Sequence, residues 1–216
     1  MNNIAIYTCI TGGYDTPTDN FDHKEGYDYI LFSNTPISTK SWKNVVVQFN
    51  RTDTPTNVKK QRFVKTHPFE ALKDYDIAVW VDANTAIDQR LYNYINANKD
   101  NIITFKVHPQ RDCIYAEADE VNKRGKETPE ACEKVKEFLK NENYPQHNGL
   151  YETNIIISHP NDENVKKLLS AWWNNIAKYS HRDQLTLNYT IWKLQLENII
   201  TCQKTKDFPP RKHTRQ

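Results

Sequence analysis

Glycine is scarce in this chain, and the spacings that usually announce a cofactor are missing. Its five glycines never form G-x-G-x-x-G, so the sequence makes no claim on a dinucleotide. The four cysteines, Cys9, Cys113, Cys132 and Cys202, lie far apart with no C-x-x-C pair. That argues against a zinc site or a redox couple and favours a reduced compartment. Basic residues barely outnumber acidic ones, 29 against 27, and a net charge of +2 is too mild for a nucleic-acid partner. No apolar run approaches the ~20 residues needed to cross a bilayer, and no charged-then-apolar leader opens the chain. The expectation is a cytoplasmic protein with no integral membrane segment.

What is present is aromatic: five Trp, twelve Tyr and eight Phe supply a substantial core. One domain over residues 1–207 is expected, followed by a basic tail at 208–216, or a linker through which the chain is fused to further domains. Strands are expected at 4–10, 27–32, 45–49, 77–81, 102–107 and 149–158, where short β-branched and aromatic runs stop at turn residues. Helical spacing covers 56–72, ended or kinked near Pro68, a segment starting at Pro129 behind Thr128, and 161–179. A further helix opens at Ser180-His181-Arg182-Asp183-Gln184; it is apolar on two faces and therefore buried, with its polar start facing a cleft. The acidic run at 117–120 reads as a charged helix surface.

The chain is organised around residues 75–88. Ile77 to Val81 is long enough for a buried strand and too short for a helix, and it ends abruptly on Asp82-Ala83-Asn84. If the backbone stays extended there, Asp82 and Asn84 share one side and Ala83 points the other way. A carboxylate and an amide oxygen at the carboxyl end of a strand suit a hard divalent cation that would hold a diphosphate. Taken alone, the triplet reads more readily as a turn, since Asp and Asn are ordinary turn formers. Two other stretches add weight. Gly12 and Gly13 directly after the first strand permit positive φ and let a ligand approach the backbone. Lys59, Arg62 and Lys65 roughly share one side of the helix leading into the Asp82 strand, from which Arg62 or Lys65 could reach a bound diphosphate.

Four phrases carry a family resemblance: Y-T-C-I-T-G-G-Y-D at 7–15, K-x-H-P at 65–68 followed by W-V-D-A-N at 80–84, G-L-Y-E-T-N-I-I-I at 149–157, and S-H-R-D-Q-L-T-L-N-Y at 180–189. Together they resemble the GT-A type of nucleotide-sugar glycosyltransferase. More specifically, they are similar to the glycosyltransferase-like domain shared by plant mucilage and turgor-related proteins and by many bacterial and viral proteins. The resemblance implies an α/β fold, a GT-A-like three-layer α/β/α sandwich around a mostly parallel sheet. It implies that Asp82 and Asn84 stand in for a D-x-D motif and reach Mn2+ or Mg2+ on the donor diphosphate, with His213 as a further metal ligand and His181 second. Asn84 departs from D-x-D, and a neutral amide oxygen holds a cation less tightly than a carboxylate.

On the same resemblance, the first loop (Thr8, Gly12, Gly13, Tyr14) holds the nucleotide, Asp82 and Ala83 meet the donor, and Arg62 and Lys65 clamp its phosphates. Asp183 is the base or acceptor-orienting residue, with Glu152 second. The D-Q-x-x-x-N run from Asp183 to Asn188 favours retention of anomeric configuration. The implied function is metal-dependent transfer from a nucleoside diphosphate sugar, a UDP-sugar, to a glycan or glycoconjugate acceptor. Two alternatives stand beside it. One is a noncatalytic nucleotide-sugar or carbohydrate-binding domain of a larger protein. The other is a sugar-phosphate nucleotidylyltransferase, disfavoured because the first loop lacks the longer Gly-rich, Arg- and Lys-bearing signature for a triphosphate.

Overall fold

Short buried strands alternating with amphipathic helices assemble into one seven-stranded sheet in the computed structural model, which describes residues 3–204 and 208–210. The strands are β1 (Ile4–Ile10), β2 (Tyr27–Ser33), β3 (Lys43–Val46), β4 (Ile77–Val81), β5 (Ile103–Val107), β6 (Tyr151–Ser158) and β7 (Ile200–Gln203), in the spatial order β3-β2-β1-β4-β6-β5-β7. All neighbours pair parallel except β6, which runs antiparallel to both β4 and β5. The carboxyl ends of β1, β4 and β5 and the amino end of β6 therefore meet on one edge of the sheet. In an open α/β sheet, that edge is where ligands bind.

Strand period two divides the core into two layers. Ala5, Tyr7, Ala78, Trp80, Phe105 and Ile156 face α1 (Asn57–Thr66), α6 (Glu163–Lys178) and α7 (Gln184–Leu194). Ile4, Ile6, Ile77, Val79, Ile155 and Ile157 face α3 (Gln89–Asn98) through Leu91, Tyr92 and Ile95. A third cluster packs α4 (Ile114–Lys123) and α5 (Pro129–Asn141) against α7 through Ile114, Val135, Leu139 and Leu185. Helix α7 is thus covered by two clusters, as its two apolar faces require.

Helix boundaries follow local chemistry. Thr56 caps α1 by accepting from the Lys59 amide, Asp162 caps α6, and Thr128 caps α5 ahead of Pro129. Pro68 ends the basic helix as expected, and a short helix, α2 (Pro68–Ala71), follows His67. The third strand lies earlier than the apolar run at 45–49 predicts. It pairs with β2 over 43–46; the Val47 amide donates to Ser33, and the strand ends there. Helix α3 and strand β7 have no counterpart in the sequence reading. Phe208 packs edge-on against Tyr94, and the Pro210 carbonyl accepts from the Ala86 amide, so residues 208–210 lie against the fold rather than trailing from it.

Candidate functional site

The carboxyl edge of the sheet holds a buried charged network. Lys65, in the last turn of α1, is 2 % exposed, and Asp183, the N-cap of α7, is 2 % exposed. The Lys65 Nζ lies 2.5 Å from Asp183 Oδ2 and 3.9 Å from Asp82 Oδ1. Arg62, one turn earlier, places Nε 3.5 Å from the same Asp183 oxygen. Thr153 Oγ1 donates to that oxygen at 3.0 Å, while Asp183 Oδ1 accepts from the Gln184 amide at 3.1 Å. The backbone is pinned as well: Tyr7 Oη donates to the Lys65 carbonyl, and Trp172 Nε1 donates to the Asp183 carbonyl.

This arrangement is electrostatically self-consistent. Burial pushes the Asp183 carboxyl up, but Arg62 and Lys65 outweigh it and hold the carboxyl well below the usual carboxylate range. Burial pulls the Lys65 ammonium down, against the opposing pull of Asp183 and Asp82. A pH consequence follows with a definite sign. A carboxyl with a lowered folded pKa contributes stability that is complete above its unfolded value, about 4, and is lost as pH falls through the folded value. Urea midpoints should therefore fall on acidification below about pH 4, and Asp183→Asn should flatten that limb; an unchanged slope in the variant would remove Asp183 as its source.

Asp82 lies on the rim of the network, with its side chain 30 % exposed. Its Oδ1 accepts from Trp80 Nε1 at 3.0 Å, a contact that period two makes legible, since residues i and i+2 of a strand share a face. Among the described residues, its Oδ2 has no hydrogen-bond partner. Beyond Val81 the backbone does not stay extended: the Thr85 amide donates to the Asp82 carbonyl at 2.8 Å, so residues 82–85 form a turn. The strand-alternation argument for Asp82 and Asn84 sharing a side therefore fails, although one tight turn still holds both residues. Among the described residues, the buried Thr8 and Thr85 hydroxyls have no hydrogen-bond partners.

The first loop is built around a close approach. Gly12 has φ +67°, its amide donates to Asn34 Oδ1, and a Cβ there would lie 1.9 Å from Asn57 Nδ2. Thr11 Oγ1 donates to the Asn57 carbonyl, which fastens the loop to the start of α1. Gly12→Ala combines a forbidden contact with positive φ and should lower stability by about 1–3 kcal/mol; a thermal midpoint equal to wild type would show that Asn57 simply moves aside. Gly13 has φ +65° with open space around it, and Tyr14 beyond it is 88 % exposed.

Other sequence candidates lie elsewhere. Lys59 donates to the Ala177 carbonyl and so serves the C-terminal turn of α6 rather than the network. His181 Nδ1 lies 2.9 Å from Glu127 Oε2, and Ser180 Oγ donates to the same oxygen. Burial alone would raise the Glu127 carboxyl, but these bonds hold it at about 2. Glu152 pairs with Lys106 at 2.8 Å. His213 lies outside the described residues, three positions beyond Pro210. Thr153 and Trp172 carried no signal in the sequence, because nothing marks a strand threonine or a core tryptophan as a carboxylate's partner. Among the described residues, no group of three or more His, Cys, Asp or Glu side chains could hold a metal ion, and no helix is long and apolar enough to cross a membrane.

The chain is similar in fold to a solved structure of WbbM, a bifunctional glycosyltransferase in its apo form. The TM-score is 0.55 at 10 % identity, over 94 % of this chain and 39 % of that one. At that identity the likeness concerns the fold alone, and it covers well under half of the larger protein. No curated protein matches the sequence. Residues 32–212 match the model of a family described as TOD1/MUCI70, glycosyltransferase-like domain, a description that supports glycosyl transfer in general terms. With most of its length matched, the chain belongs to the TOD1/MUCI70 glycosyltransferase-like domain family.

Proposed function

We propose that this chain transfers a sugar from a UDP-sugar to a glycan or glycoconjugate acceptor, with Mn2+ or Mg2+ on the donor diphosphate and with retention of configuration. The observation that carries the reading is Lys65, a buried cation that faces the carboxylates of both Asp82 and Asp183 at the carboxyl edge of the sheet, with Arg62 beside it.

The residues fit a hard cation. Asp82 offers a carboxylate oxygen with no partner among the described residues, Asn84 follows in the same turn, and oxygen donors suit Mg2+ or Mn2+. His213 is proposed as the further ligand. When bound, the cation supplies Lewis-acid stabilisation of the charge that builds on the leaving diphosphate.

The chain's own part is positional and electrostatic. Asp183 holds the Lys65 ammonium and Arg62 guanidinium at the corner, where they offset developing phosphate charge without having to reorganise. The loop from Thr8 through Gly12 and Gly13 to Tyr14 receives the nucleotide, with the exposed Tyr14 ring free to stack on the base. Ala83 contributes backbone against the donor.

Retention is favoured by what the two candidate bases are doing. Asp183 is enclosed by donors and Glu152 is paired with Lys106, so neither stands ready to take a proton. With retention, the acceptor oxygen bonds to the anomeric carbon on the face the diphosphate leaves. The C–O electron pair passes to the phosphate oxygen, which also takes the acceptor's proton. The same occupied carboxylates favour a second reading, a noncatalytic nucleotide-sugar-binding domain. Incubation with UDP-glucose, UDP-galactose and UDP-N-acetylglucosamine plus Mn2+ separates the two: released UDP that disappears with EDTA and with Asp82→Ala supports the transferase. Tight donor binding with no UDP release supports the binding domain.

A further inference from the structure

An open cleft of about 500 Å³ lies on the same edge of the sheet, where β5 ends and β6 begins, and His108, Arg111, Asp112, Gly149, Tyr151 and Cys202 are among its lining residues. None of them serves the network around Lys65. The cleft is nonetheless joined to it through two bonds to α7. Gln184 Nε2 donates to the Tyr151 carbonyl and the Tyr151 amide donates to Asn188 Oδ1, so the helix that Asp183 caps also holds the cleft wall. Two residues along β6, about 7 Å at strand rise, Thr153 donates to Asp183.

The lining is polar, and its arginine is committed to a buried partner. Arg111 Nε lies 2.5 Å from the buried carboxylate of Glu117, and an Arg111 terminal nitrogen lies 3.2 Å from His108 Nε2. Asp112 Oδ1 lies 2.9 Å from His147 Nδ1. Burial lowers the His108 imidazole pKa, which keeps the ring neutral near pH 7. An anionic ligand would find Arg111 already committed to Glu117 and would meet the exposed carboxylate of Asp112 beside it. Tyr151 adds an aromatic wall with Phe105 stacked on it, ring centroids 5.8 Å apart. Aromatic faces carry negative charge that suits the weakly positive C–H faces of a sugar ring.

We infer that this cleft is the acceptor subsite and takes a neutral oligosaccharide, held by the Tyr151 ring and by hydrogen bonds to the cleft backbone. The inference rests on the transferase reading above. Cys202 gives access to a direct test, because it lines the cleft and is exposed while the other three cysteines are buried.

The fluorescently labelled chain, with UDP and Mn2+ present, is applied to a printed array of neutral and uronate-containing oligosaccharides. It is compared with Cys202→Trp and with the chain modified by benzyl methanethiosulfonate, and UDP affinity is measured on all three forms. The expected result is binding to neutral glycans that weakens at least about tenfold in both blocked forms, with UDP affinity unchanged. Undiminished glycan binding in the blocked forms, a preference for uronates, or no glycan bound by a chain that does bind UDP would each overturn the subsite. Neutral-glycan binding that is lost on blocking, in a chain that never binds UDP, would uphold the cleft and remove the donor reading instead. Binding of neither ligand would remove both.

Discussion

Lys65→Met should be the most damaging single substitution in the chain, lowering stability by about 3–5 kcal/mol and abolishing transfer. The ammonium is enclosed, so methionine replaces the stem volume but leaves Asp183 a buried carboxylate with two neutral hydrogen-bond donors and Arg62, at 3.5 Å, as its remaining ion-pair partner. Removing one partner of a buried ion pair costs more than removing both, because the survivor keeps its desolvation penalty. The double variant Lys65→Met with Asp183→Asn should therefore recover much of the lost stability, as read from urea midpoints. It should remain inactive, because the cation that offsets phosphate charge is still missing. Recovered activity in the double variant would assign Lys65 a purely structural role.

Asp82→Ala should behave in the opposite way, with a small effect on folding and a large one on ligand binding. The side chain is 30 % exposed, and its internal bonds are one from Trp80 and a long approach to Lys65, so about 1 kcal/mol of stability is at stake. Metal-dependent donor affinity should fall at least about a hundredfold, or 2.7 kcal/mol, because Asn84 and His213 alone offer only neutral ligands to the cation. The variant should melt near wild type while binding UDP equally with Mn2+ or EDTA. Wild-type, chelator-sensitive affinity in Asp82→Ala would take Asp82 out of the metal site.

Several parts of this arrangement were legible in the residues. The apolar run Ile77–Val81 ending on Asp82, the two glycines after β1 and the polar start of α7 each mark a strand or helix end, and chain topology brings all three to one edge. Arg62 and Lys65 were legible from helical spacing, but the fate of Lys59 was not. Three basic residues on one side of a helix look alike until the neighbouring helix ends beside one of them. The role of Asp183 was harder to see. A residue that opens a helix reads as a cap or a base, and only the packing of α1 against α7 and β6 reveals a carboxylate saturated with donors. Helix α3 was missed because its Tyr and Asn content blurs the apolar stripe; Leu91, Tyr92 and Ile95 form that stripe only once the sheet covers it. Strand β7 is four residues of mixed polarity, too short for a period to register.

The central claim is that the Asp82 corner holds a donor diphosphate through a divalent cation, with Lys65 and Arg62 beside it. Calorimetric titration of the purified protein with UDP tests it most directly, first with Mn2+ and then with EDTA. The account predicts binding with Mn2+ that disappears on chelation. UDP binding of equal strength under both conditions would contradict it, as would no binding of UDP, GDP or dTDP under either.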